Sequence, residues 1–412
     1  MNAPLSVEIP SKNKIAEEEI KNEPNDVEEY VEEMTCMNAV IATHYGHPQN
    51  VLRVNLSFPV PEIDPDGEDL LIRVEATSGQ LYDCQKVAGE CKKEGTTFPL
   101  TPGTDFSGVV AAVGSHCLRY KIGDPVFGIC VTGGMAGYVT VHEDDVWLKP
   151  GNMTHPEAAA LGFSALSAYQ ALKHTAKMKV NHRVLVLGAG SATGVMAVQI
   201  AKSLGARTIF GVAHGMDAEA TITQLGADRV LAGERGNWAE VLLEEEFDLV
   251  LDCEGDPNSW RRSQQVLAQK GLFVRVGDYS TESNLPPASP ASLGNSKLRV
   301  KSANPRRPKR SLFGSSLQFH EMKLPAPVDL CNIASLCEAE LLKPIIEPDG
   351  IYHMGNVLDM FARLEKNDMS TKSLILFPQE FDDEQLNREF DSSTPLSVTD
   401  QGLVKRLLCF KN

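Results

Sequence analysis

Apolar and polar positions follow two rhythms along this chain, and the change between them divides it. In residues 69–150 the apolar residues come in short runs punctuated by glycine, proline and aspartate. DLLIRVEAT (69–77), FSGVVAAVG (106–114), DPVFGIC (124–130) and GYVTVHEDDVWLKP (137–150) each read as a strand region. Short runs between tight turns predict a small barrel or sandwich. From Val184 the pattern changes. VLVL (184–187) is apolar at every position, as a parallel strand covered on both faces requires. Val195, Ala197, Val198, Ile200, Ala201 and Leu204 then recur on one side of a helix. RTIFGVAH (207–214) reads as a second strand and TITQLGADRV (221–230) as a helix leading to a third. FDLVLDC (247–253) reads as a fourth strand and GLFVRVG (271–277) as a fifth. Strands alternating with helices predict a doubly wound parallel sheet, so the fold class is α/β with a second, β-rich domain.

Between the first apolar strand and its helix stand Gly188, Gly190 and Gly194. Glycines there let the backbone turn sharply and approach a pyrophosphate. Amides of Ser191, Ala192, Thr193, Gly194 and Val195, at the positive end of the helix, would then hold it. A regular G-x-G-x-x-G places the third glycine at 193; here Thr193 occupies that position and the glycine follows it. A glycine-rich turn that binds no nucleotide is the plainer alternative, and the repeated strand–helix series favours a dinucleotide site.

Length and charge then narrow the class. A chain of 412 residues with 42% hydrophobic content can build two cores. Its net charge of -16 argues against nucleic acid or an anionic membrane as a general partner. No apolar run approaches the roughly 18 residues of a membrane span, so a soluble protein is expected. Nine cysteines without a C-x-x-C pair suggest buried, reduced thiols rather than a disulfide framework or a zinc lobe. Residues 1–37 read as a disordered acidic arm, lacking both a secretory core and an arginine-rich transit character, which predicts a cytoplasmic location. Residues 379–412 read as a polar tail whose one apolar patch is LVKRLLCF (403–410), and the last four residues do not form a prenylation box.

The order of motifs carries a resemblance over residues 38 to about 378. PLTPGTDFSGVVAAVG, YKIGDPVFG, GGMAGYVTV, HPEAAALGFSALSAYQAL, the glycine turn, FDLVLDCEG, and LLKPIIE with STKSLILF follow one another. In this the chain resembles the medium-chain dehydrogenase/reductase superfamily, in its zinc-free quinone oxidoreductase and enoyl reductase branch. The resemblance implies a GroES-like catalytic domain over 38–162, a Rossmann domain over 163–311, and a C-terminal return to the catalytic domain over 312–378. It also implies an active-site cleft between the two domains.

Zinc-containing relatives carry G-H-E where this chain has Gly103, Thr104 and Asp105. A threonine in the histidine position, and cysteines without ligand spacing, supply no set of about three zinc ligands, so no metal is expected. Asp105 is then a structural or turn residue. Without a Lewis acid the implied reaction is hydride transfer from a reduced nicotinamide to a quinone or an α,β-unsaturated carbonyl. The protein must place the acceptor over the nicotinamide and hydrogen-bond the developing enolate oxygen.

The stretch 77–89 lies where relatives carry an N-P-x-D segment lining the nicotinamide pocket. Asp83 and Gly89 fit, Gln80 replaces the asparagine, and Gln85 stands where many relatives have a tyrosine. Gln80, Tyr82 and Asp83 are the candidate catalytic residues. Tyr82, the nearest phenol, would donate a proton or hydrogen bond to the carbonyl oxygen; the alternative is a packed turn tyrosine. Ser167 occupies the place of a family hydroxyl that meets the cofactor, unless it bonds its own preceding carbonyl. The second strand ends Val212, Ala213, His214, Gly215, with no acid to hold ribose hydroxyls. His214 could meet a 2′-phosphate and Asp217 could swing back, so NADPH is favoured over NADH. Gly277, beyond the fifth strand, completes the cofactor set.

The stretch 297–314 gathers Lys297, Arg299, Lys301, Arg306, Arg307, Lys309 and Arg310 in an otherwise acidic chain. It reads as a solvated loop, as a docking or import patch for a protein partner, or as a cationic rim for an anionic acyl thioester. The leading function is an NADPH-dependent quinone or activated-alkene reductase acting on a small molecule. The alternatives are an enoyl thioester reductase, including one acting in trans beside a polyketide synthase, and a non-catalytic nucleotide sensor or scaffold. The resemblance implies a homodimer through an edge strand near residues 297–302.

Overall fold

A computed structural model describes residues 36–91, 97–130, 133–213, 217–232, 238–276, 317–321, 325–365 and 372–376. Residues 1–35 of the acidic arm, His214, Gly277, the basic stretch 297–314 and the polar tail lie outside the described residues, whereas Cys36 and Met37, read as the end of the arm, already belong to a strand paired with residues 58 and 59. In chain order the elements are β1 (Cys36–Ala42), α1 (Pro48–Val51), β2 (Leu52–Pro59), β3 (Asp69–Gly79), α2 (Leu81–Ala88), β4 (Asp105–Val113), β5 (Pro125–Ile129), β6 (Tyr138–His142) and β7 (Val146–Leu148). Next come α3 (His155–Ala159), α4 (Gly162–Gln170), β8 (Arg183–Leu187), α5 (Ala192–Ser203), β9 (Thr208–Ala213), α6 (Asp217–Leu225), β10 (Arg229–Ala232) and α7 (Trp238–Val241). The chain continues through β11 (Phe247–Asp252), α8 (Ser259–Ser263), β12 (Leu267–Arg275), β13 (Gln318–Glu321), α9 (Leu330–Glu338), β14 (Ile346–His353), α10 (Val357–Glu365) and β15 (Lys372–Leu376).

The glycine turn belongs to a sheet with strand order β10-β9-β8-β11-β12-β13 and parallel pairing throughout. Numbered from β8, that order is 3-2-1-4-5-6, in which the winding reverses between β8 and β11 and leaves a crevice beyond their carboxyl ends. The unbroken apolar run of β8 now has its reason. Val184 and Val186 join one core cluster with Leu249 and Leu251, while Leu185 and Leu187 join another, on the opposite face, with Phe247 and Val250. The sixth strand, β13, comes from the segment read from sequence as the return. It stays with the Rossmann sheet because Gln318 to Glu321 pair in parallel register with Leu272 to Arg275.

The β-rich part is a second sheet of order β14-β15-β3-β4-β5-β7, with β6 also on β3. The long β3 pairs with β15 at one end, β6 at the other and β4 along most of its length. Two irregularities in the β3–β4 register let this strand bend and serve both neighbours. Leu70, Ile72, Val74, Phe106 and Val126 fill the interior, capped by Met360 and Phe361 of α10. The segment 137–150, read as one strand region, is two strands. A 3₁₀ turn at Glu143–Asp145 separates them, with His142 Nδ1 accepting from the Asp144 amide at 3.1 Å. Before the turn β6 pairs with β3, and after it β7 pairs with β5.

Candidate active site

Two constructions meet the requirements read from the sequence, one at each sheet. The first follows β8. Gly188 has φ +68°, a conformation glycine adopts without strain. The Ala189 amide reaches across to Val212 O (2.8 Å) and the Ser191 amide returns to Gly188 O (2.9 Å). Ser191 caps α5, its Oγ accepting from the Gly194 amide at 3.1 Å. A Cβ on Gly194 would lie 2.1 Å from Gly188 O and 2.8 Å from the Ala189 Cα. The third glycine is therefore needed at 194, where the helix touches the strand's exit, and not at 193. Gly190, Ser191, Ala192 and Thr193 are half-exposed, whereas Val195 is buried in the core. The first turn of α5 carries no acidic side chain. The Gly194 amide is taken by Ser191 Oγ and the Val195 amide by Ser191 O, while the Ala192 and Thr193 amides ahead of them have no intrahelical carbonyl, so a cradle closed by Gly194 with these two donors fits a pyrophosphate.

The second construction follows β3. The fully buried Asp83 accepts from the Gln80 amide with Oδ2 (3.0 Å) and from the Gly103 amide with Oδ1 (3.0 Å). It thereby ties the start of α2 to the loop before β4. Burial raises its carboxyl from 3.8 to about 6, partly opposed by Lys86 and by the two amides. Gln80 Nε2 donates to Thr104 Oγ1 at 2.5 Å. Tyr82 is 7% exposed, stacks on Phe163 with ring centroids 5.5 Å apart, and has Lys86 Nζ 5.8 Å from its ring centre. Its hydroxyl is pushed up to about 12, chiefly by burial, so it stays protonated at neutral pH. Asp105 is buried as well. Its Oδ1 accepts from the Phe163 amide (2.6 Å) at the start of α4, and its Oδ2 from Ser78 Oγ (2.7 Å). A Cβ on Gly162 would lie 2.6 Å from the same Oδ1.

Of the residues singled out, Gln80, Tyr82 and Asp83 come together with Thr104 and Phe163, and Gly188 to Val195 form one turn. Asp83 does not have the catalytic placement expected of it. With no exposed surface and both oxygens on backbone amides, it positions its neighbours. Ser167 is fully buried within α4. Thr104 offers a hydroxyl already engaged by Gln80, and Asp105 is committed to Ser78 and Phe163. No group of three or more histidine, cysteine or acidic side chains among the described residues is arranged for a metal, so a zinc centre does not fit here.

Sequence reasoning passed over the end of β11. Asp252 (0% exposed) and Arg275 (2% exposed) are register partners on β11 and β12, joined at 3.4 Å, with Ser259 Oγ also donating to Asp252. The only signal was an acid closing one apolar strand and an arginine inside another.

Residues 66–151 match the family described as alcohol dehydrogenase GroES-like domain, and residues 192–313 the family described as zinc-binding dehydrogenase. The chain is 29% identical to human quinone oxidoreductase over 251 residues, which is 60% of this chain and 74% of that protein. It is 30% identical over 372 residues to human mitochondrial NAD(P)H oxidoreductase RTN4IP1, covering 83% of this chain and 89% of that one. The solved CurK enoyl reductase shares the fold, with TM-score 0.68 and 22% identity, over 83% of this chain and 99% of that one. Fold order, glycine turn and these relatives agree: the chain belongs to the medium-chain dehydrogenase/reductase superfamily and is an oxidoreductase of the type that uses a nicotinamide cofactor.

Proposed function

We propose that this chain is an NADPH-dependent reductase that delivers hydride to a quinone or an α,β-unsaturated carbonyl without a metal. The observation that carries the reading is the half-exposed amide cradle at the start of α5, closed by Gly194, at the reversal of a 3-2-1-4-5-6 sheet. Human quinone oxidoreductase supports the acceptor class. Quinones and enones share the feature the chemistry requires, a carbon made electron-poor by a conjugated carbonyl. A bound nicotinamide supplies the hydride. The chain's own residues hold the pyrophosphate at the Ala192 and Thr193 amides of the capped turn and orient the acceptor. The protonated Tyr82 hydroxyl donates toward the oxygen on which negative charge develops, and Asp83 keeps α2 and Gly103 in place. The choice of NADPH rests on β9, which ends Val212–Ala213 with no acid to repel a 2′-phosphate. A catalytic domain over 38–162, a Rossmann domain from 163 that extends to include β13, a C-terminal return after it, the cytoplasmic location and the homodimer belong to the same proposal.

The test is nicotinamide fluorescence titration with NADPH and NADH, followed by cofactor oxidation with a quinone and enone panel. Tighter binding of NADPH with turnover of either acceptor is expected. Failure to bind either cofactor overturns the reading, and binding without turnover moves it to an enoyl thioester substrate or a nucleotide sensor. Tyr82→Phe should lower kcat by about 10²-fold while the thermal midpoint barely moves. An unchanged kcat would remove Tyr82 from the chemistry.

A further inference from the structure

The loop after β11 is held more heavily than its length explains. Cys253 N donates to Leu187 O (3.0 Å) and Asp252 O accepts from Val276 N (2.7 Å), so the strand's exit is stitched to both neighbours. The Asp252 carboxylate then turns back on its own loop. Oδ1 accepts from the amides of Glu254 (3.1 Å) and Gly255 (3.0 Å), where Gly255 has φ +76°. Oδ2 accepts from Ser259 Oγ and from Arg275 Nε (3.4 Å). The Arg275 guanidinium in turn reaches Asp256 O (3.3 Å) and Ser259 Oγ (3.4 Å) through Nη2. It lies 6.0 Å from the ring centre of Phe273 and 5.7 Å from that of Phe319, joining β13 to the arrangement.

This loop packs directly against the glycine turn. A Cβ on Gly188 would lie 3.0 Å from Glu254 Cβ, 3.1 Å from Glu254 N and 3.2 Å from Cys253 C. Residues 253–256 are therefore the wall facing the amide cradle across the crevice between β8 and β11, where a dinucleotide crosses an open α/β sheet. A buried ion pair is a poor source of stability, because two desolvated charges recover little more than their own desolvation cost. Its reason is better sought in what it holds still.

We propose that Asp252, Arg275 and Ser259 are positioning residues that set the 253–256 wall against the Gly188 turn and thereby fix the width of the dinucleotide crevice. The inference rests on the nucleotide-binding reading above. It separates folding from binding, and the two respond differently to substitution. Replacing the ion pair by apolar residues of similar volume preserves a packed core, but the Glu254 and Gly255 amides lose their acceptor.

The test is NADPH titration by fluorescence on the wild type, on the double variant Asp252→Leu/Arg275→Met, and on Ser259→Ala with Ser259→Thr as its rescue, each with its thermal midpoint. Expected for the double variant is a midpoint near that of the wild type with an NADPH Kd raised tenfold or more. Ser259→Ala should shift Kd in the same direction by less, and Ser259→Thr should restore it. A double variant that stays folded and binds NADPH as the wild type does overturns the proposal. If the double variant does not fold, Ser259→Ala decides: a lowered midpoint with unchanged Kd makes the cluster merely structural, and a raised Kd supports positioning. A wild type that binds no dinucleotide sinks the functional reading instead, so the two failures are distinguishable.

Discussion

Asp83, at the start of α2, and Asp252, at the end of β11, are both fully buried and both accept from two loop amides, but their electrostatic surroundings differ. Asp252 has Arg275 as a register partner on the adjacent strand and Ser259 beside it, which oppose the upward pull of burial on its carboxyl. Asp83 has two backbone amides and the more distant Lys86 to oppose burial and the neighbouring Asp105 charge, and burial leaves its carboxyl at about 6. The comparison teaches that the two carboxylates organise loops by the same hydrogen bonds and differ in what their negative charge costs. The α2 site is tunable near neutral pH, whereas the β11 site depends on its arginine.

Removing that arginine gives the largest expected effect. Arg275→Met leaves Asp252 buried beside Ser259 without a cation and should cost about 3–5 kcal/mol in urea unfolding at pH 7. A loss below about 1 kcal/mol would mean that the guanidinium is not what makes Asp252 tolerable. The Asp83 counterpart is a pH effect. Its folded carboxyl binds the proton more tightly than the unfolded chain does, so its contribution to stability falls as pH rises from about 4 to about 6. The amplitude is about 3 kcal/mol for a shift from 3.8 to about 6. The difference in unfolding free energy between wild type and Asp83→Asn should decline by that amount across this window, and parallel curves would contradict it.

Smaller effects sharpen the contrast between the two loops. Gly194→Ala forces a methyl to 2.1 Å from Gly188 O and should cost about 1–3 kcal/mol. Its NADPH affinity should fall as well, since the shift opens the cradle. Thr104→Ala removes the acceptor of Gln80 Nε2 and should cost about 1 kcal/mol, with nucleotide affinity unchanged. A matching loss of NADPH affinity in Thr104→Ala would show that the two constructions are coupled across the cleft.

The legible parts of the fold were those set by local repetition. A strand buried on both faces has to be apolar throughout, so β8, β9, β11 and β12 stood out, and the glycines after β8 marked the turn. The four polar residues His142 to Asp145 interrupt the alternation at this break, but nothing local in the sequence shows that the partner changes there from β3 to β5. Nor was β13 legible, since its four residues carry no pattern apart from the strand they lie on. Within the candidate site, Gln80, Tyr82 and Asp83 lie together, and the positioning part of Asp83 is one that only its burial and its two amide partners reveal.

The sequence by itself determined the class of fold, the place of the glycine cradle and the absence of a histidine at position 104, because periodicity and residue type are local properties. Tertiary structure alone decided that Asp252 meets Arg275 and that Asp83 meets Gly103. It also decided why the third glycine falls at 194. Each of these depends on register or close approach between segments distant along the chain, and register is settled by the packing of whole faces rather than by any one residue.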